Sequence, residues 1–96
     1  MPLLAPITVI VPLGTTRTIS FPDEFLGEAV SIIVTNLDAA NNASYRINGQ
    51  SQPTLTLLSG AFRAIDDTKI KLLTITAGAA GAVQLEAQVQ LYKGLK

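Results

Sequence analysis

Carboxylates and amides gather at two places in the chain: Asp38 with Asn41 and Asn42, and the adjacent pair Asp66-Asp67. Together they offer oxygen ligands of the kind that hold Ca²⁺. The spacing of an EF-hand loop is absent, and Asp and Asn in turns bond their own backbone. Turn chemistry is therefore the preferred reading of both. Asp23 and Glu24 form a second acidic pair, formally an acid and a base. Sequence neighbours do not converge on one substrate, and both stand where the start of a helix favours negative charge. The serines have no histidine to activate them, because the chain has no His, and no motif supports a Ser–Lys pair. Asn42-Ala43-Ser44 matches the N-glycosylation sequon, a three-residue match read as chance. Gly78 and Gly81 join two predicted strands instead of opening a helix, so they lack the context of a phosphate loop.

Composition points the same way. Ninety-six residues make one domain, spanning 1–96, that buries about 64% of its unfolded surface. That suffices for one modest core and leaves little room for a cleft. Charged residues are 15% and the formal net charge is zero, so the chain lacks the basic footprint of a nucleic-acid binder. Without Cys or His, it lacks thiol chemistry, the commonest general base and the commonest metal ligand. There is no Trp, and Tyr45, Tyr92, Phe21, Phe25 and Phe62 are the only aromatics, few for a stacking platform. Neither enzyme chemistry nor a cofactor or metal is expected. The apolar N-terminus lacks a basic segment and is cut by Pro2, Pro6 and Pro12, so no signal peptide is expected. No apolar run reaches the ~18 residues of a membrane span.

The elements that would position these residues are strands. Val83, Leu85, Ala87, Val89 and Leu91 alternate with Gln84, Glu86, Gln88 and Gln90, the period-two pattern of a half-buried strand. Further strands are predicted over 7–11, 16–21, 29–36, 43–48, 54–58, 61–65 and 68–77. In 29–36, Val30, Ile32 and Val34 share the core face. Apolar parity flips between Leu72 and Leu73, which predicts a bulge there or burial of both faces. Hairpin links are expected at 12–15, 36–42, 48–53, Ser59-Gly60, Asp66-Asp67 and Gly78–Gly81, the last a flexible tip whose glycines allow positive φ. One helical turn is expected at 22–27, with Pro22 early and Gly27 as its end. Eight short strands predict an all-β antiparallel sandwich or barrel, jelly-roll-like or immunoglobulin-like.

An apolar, neutral small domain is expected to cover part of its surface with a partner. Leu3, Leu4, Ile7, Ile10 and Ile33 are the expected contacts with that partner. Arg46 and Arg63 lie on predicted strands, where a solvated outer face is the first reading and an interface anchor the alternative.

The segments Val34–Asp38, Tyr45–Gly49, Phe62–Thr76 and Gly78–Val89 share a texture of short Thr/Ile/Leu/Val strands, Asn-Gly and Gly-Ala turns and few charges. In this the chain resembles small all-β virion proteins of tailed bacteriophages, the head decoration (cement) and minor structural proteins. The resemblance implies a non-enzymatic sandwich on a capsid, made in the host cytoplasm. It further implies a homo-oligomer, by preference a trimer, bound to a major capsid protein. Residues 1–6 would form an extended N-terminal arm. The alternative is a module binding carbohydrate or a host surface through loops 36–43, 48–53 and 78–81.

Overall fold

The computed structural model describes residues 4–48 and 54–92, and of 67 and 68 the backbone only. The chain runs β1 (Leu4–Val11), β2 (Thr16–Ser20), α1 (Phe21–Phe25), β3 (Gly27–Asn36), β4 (Ala43–Ile47), β5 (Leu55–Leu57), β6 (Phe62–Ile70), β7 (Leu72–Thr76) and β8 (Val83–Leu91). Two four-stranded antiparallel sheets form a sandwich. Sheet A has the order β1-β8-β3-β6, and sheet B the order β2-β7-β4-β5.

The pairing is nested. The first strand pairs with the last, the second with the seventh, the third with the sixth and the fourth with the fifth. This is one long hairpin folded over itself, with β3·β8 and β4·β7 closing the roll. Of the two sandwiches that the sequence allows, the strand order selects the jelly roll.

The alternating residues meet between the sheets. Val83, Leu85 and Val89 from β8, Ile32 and Val34 from β3, and Ile19, Leu73 and Ile75 from sheet B are fully buried. Tyr45 joins them with 3% of its surface exposed. A one-residue bulge in β3 between Ala29 and Ser31, seen against β8, puts Ala29 and Ile32 on the core face and leaves Val30 half-buried.

Several local expectations are corrected. The strand expected over 68–77 is two strands in opposite sheets. Ile70 ends β6, Lys71 is the connector, and β7 starts at Leu72. The parity flip at Leu72/Leu73 is therefore a change of sheet and not a bulge. Ile70 and Leu73 enter the same core from opposite sides, while Leu72 is 37% exposed. Asp66-Asp67 forms no turn; it lies inside β6, where Asp66 pairs with Ser31. Most of the predicted hairpin links cross between sheets, and among the described ladders only β4·β5 joins consecutive strands. Of the expected arm, residues 1–3 lie outside the described residues, and residues 4–6 extend β1 along Gln90, Val89 and Gln88. Pro6 fits there because β1 is an edge strand.

The helix is displaced by one residue, and its end works differently. Leu26, with φ 58°, supplies the left-handed cap. Gly27 starts β3 because a Cβ there would lie 2.3 Å from the Gln90 carbonyl oxygen. Asp23 and Glu24 are taken up locally. Asp23 accepts the Ser20 hydroxyl, and Glu24 accepts the Ser20 N–H and pairs with Arg17.

Candidate interaction surface and the polar knot at one end

The outer face of sheet A is built by register. Side chains directly opposite one another share a face. One row across β1, β8, β3 and β6 reads Ile10, Gln84, Thr35, Phe62. The next reads Thr8, Glu86, Ile33, Ala64, and the third Pro6, Gln88, Ser31, Asp66. Apolar groups stand among amides and hydroxyls: Ile10 is 49% exposed, Ile33 39% and Phe62 67%. Glu86 and Asp66 are the charges in these rows, and no row carries a cation. Asp66 accepts the Ser31 hydroxyl at 2.7 Å and Glu86 accepts the Gln84 amide at 3.3 Å. Pro6, Thr8, Ser31, Ile33, Glu86 and Gln88 border a shallow depression of about 210 Å³.

The residues expected at contacts divide as follows. Leu4, Ile10 and Ile33 are exposed on this face, Ile10 and Ile33 in adjacent rows and Leu4 three rows from Ile10. Ile7 points inward and packs, half-buried, against the core. Leu3 lies outside the described residues. Arg46 is in sheet B, where its guanidinium donates to the Thr54 hydroxyl at 2.7 Å. Arg63 is exposed on the edge strand β6. The two arginines and Ile33 thus do not form one patch.

The loops β1–β2, β3–β4, β5–β6 and β7–β8 gather at one end of the sandwich around two buried polar side chains, Asn36 and Asp38. Asn36 directs its amide N–H groups at the carbonyls of Asn41, Leu57 and Leu58, at 3.0, 3.2 and 3.2 Å, and accepts the Asp38 N–H. The Asp38 carboxylate accepts the backbone N–H groups of Ala40, Asn41 and Ala80 and the side chain of Asn41. These bonds lower its pKa to about 2, the Ala40 N–H most, against an opposing rise from burial. Backbone bonds complete the knot: Gly60 N–H to Asp38 O, Leu37 N–H to Ala82 O and Gly14 N–H to Gly78 O.

Turn chemistry thus holds for Asp38. The sequence missed its reach to Ala80, and the role of Asn36 altogether. The expected flexible tip at 78–81 is corrected as well. Gly78 and Gly81 do not take positive φ, which falls to Gly14 and Gly60. They are glycine because a Cβ would lie 2.5 Å from Asp38 Oδ2 at the first and 2.5 Å from Asp38 Cα at the second.

Among the described residues, no three His, Cys, Asp or Glu side chains gather as a metal site, and no helix is long and apolar enough to cross a membrane.

These features define a small jelly-roll sandwich with a tied loop end and a mixed apolar outer face. Among solved structures, the chain is similar to a protein of the Bacillus endospore appendages, a family of disulfide-linked pili. That likeness has a TM-score of 0.55 at 13% identity and covers 96% of this chain and 92% of the other. It is also similar to hydroxypropylphosphonic acid epoxidase from S. wedmorenis, with a TM-score of 0.50 at 17% identity, covering 90% of this chain and 42% of the enzyme. At these identities the likeness is one of fold. No family model matches the chain, and no curated protein matches it.

Proposed function

We propose that the chain is a non-enzymatic structural subunit of a virus particle, a decoration or cement protein that stabilises a capsid shell by covering its surface. The observation that carries this reading is the outer face of sheet A. Ile10, Ile33 and Phe62 stand exposed there in adjacent rows, without a cation, on a domain of zero formal net charge. Covering the apolar side chains of this face gains roughly 25 cal/mol per Å² removed from water, provided the covering surface supplies hydrogen-bond donors to the Asp66 and Glu86 carboxylates. The absence of His and Cys from the sequence supports the non-enzymatic part.

A second reading, a filament subunit, draws support from the fold shared with the endospore appendage protein. Lacking Cys, this chain would hold such a filament together by non-covalent contacts.

Immunogold electron microscopy of lysates from the source organism tests both. Gold on closed shells is the expected result. Gold along filaments overturns the shell reading in favour of the second. Gold on no assembly overturns both.

A further inference from the structure

Each sheet has two edge strands, and an edge strand presents unpaired backbone N–H and C=O groups that proteins normally guard. Three of the four edges here are guarded. β2 carries Arg17, ion-paired with Glu24. β5 is three residues long. β6 carries Arg63, Asp66 and Lys69, and its pairing with β3 shifts register between Ala29 and Ser31. β1 differs. It runs eight residues, Leu-Ala-Pro-Ile-Thr-Val-Ile-Val, without a charge, and among the described residues Pro6 is its single guard. On its core side Ala5 and Ile7 are only half-buried, and on its outer side Leu4 and Ile10 are each 49% exposed. Another strand laid beside β1 would cover all four.

We infer that β1 pairs antiparallel with β1 of a second copy, joining two A sheets into one continuous eight-stranded sheet across a two-fold axis. Charge favours a copy as the occupant, since two uncharged edges meet with no like charges opposed. Face parity favours it too. Opposite residues must share a face, so the axis passes through a residue and not between two, and Ile7 or Thr8, in the middle of Leu4–Val11, gives the longest overlap. An axis at Thr8 sets Thr8 against its symmetry mate, Pro6 against Ile10 and Ile7 against Val9. An axis at Ile7 sets Ile7 against its mate, Leu4 against Ile10 and Ala5 against Val9. Both keep apolar residues on the core side, which is what self-complementary two-fold pairing needs. The inference rests on the assembly reading above and names one of its contacts.

The test uses the full chain, whose lack of Cys makes any introduced thiol unique. Light scattering coupled to size exclusion should give twice the chain mass. Thr8→Cys should cross-link to a dimer, by direct oxidation if the axis is at Thr8 and only with a short bis-maleimide if it is at Ile7. Ala64→Cys, on the far edge, should stay at background. Ile10→Lys, which adds the missing edge charge, should keep the wild-type urea midpoint and lose the dimer. Each of the following overturns the inference: a monomer at every concentration, a dimer linked through residue 64 and not residue 8, or a folded Ile10→Lys protein that still dimerises. An oligomer that persists without Thr8→Cys cross-linking removes the β1 contact and leaves assembly standing. A monomer removes the homodimer, and the gold labelling then decides the assembly reading separately.

Discussion

The Asp38 carboxylate in the β3–β4 loop accepts the N–H of Ala80 in the β7–β8 loop at 3.0 Å, across 42 residues of sequence. Through it, two connections that leave opposite sheets become one rigid end. A buried carboxylate saturated by N–H donors is stabilising only while it is ionised.

Acid should therefore loosen this end first. The folded-state pKa of Asp38 is lowered to about 2 from an ordinary 3.8. A depressed carboxylate contributes stability that is fully present above its unfolded pKa and is lost as pH falls through its folded pKa. The window runs from about pH 4 down to about pH 2. Urea unfolding measured across it should show a fall in midpoint for the wild type and a shallower fall for Asp38→Asn. The variant should start lower at pH 6.

Glycine substitutions should rank by cause. At Gly81 an added Cβ meets the Asp38 backbone, so Gly81→Ala must displace the loop. A loss of about 1–3 kcal/mol is expected, as for overpacking. Gly60 has φ 72° with nothing within 4 Å of a built Cβ, so Gly60→Ala should cost only the left-handed penalty, about 1–2 kcal/mol. Double-mutant cycles with Asp38→Ala distinguish them, since only the Gly81 effect should be coupled to residue 38.

The sheet change at Lys71 separates two adjacent leucines. Leu73→Ala opens a cavity in the core and should cost about 2–5 kcal/mol. Leu72→Ala, on the outer side of β7, should stay within about 1 kcal/mol. Equal effects in chemical denaturation would contradict the crossing.

Asn36 offers a test of the knot that no titration complicates. Asn36→Ala leaves the buried carbonyl of Leu57 without its side-chain donor. Each polar group so stranded costs about 1–3 kcal/mol. Hydrogen exchange should speed up at Asp38 and at Gly60, whose N–H groups are held within the knot, before it does in β8.

The outer face of sheet A should matter to assembly and not to folding. Ile33→Thr keeps a β-branched side chain, so its midpoint should stay within about 1 kcal/mol of wild type. Loss of the gold label from shells, with the soluble variant still folded, is the expected outcome.

The sequence by itself determined most of the strands and, where no bulge or crossing intervenes, their faces. In β8, Val83 to Leu91 alternates so regularly that its core side is readable without any partner, because successive side chains must point to opposite faces. The class of fold followed from eight such segments, as did the exposure of Ile10 and Ile33. Tertiary structure decided whatever depends on which strand lies beside which. The parity flip at Leu72 has the same form for a bulge and for a crossing, and only the position of two sheets around one core tells them apart. Asp66-Asp67 has turn composition, yet lies in a strand because Ser31 and the rest of β3 pair with it. Gly78 and Gly81 look like a flexible tip in isolation, and their meaning comes from Asp38. That carboxylate is buried by loops drawn from all along the chain, and no local pattern encodes a neighbour 42 residues away.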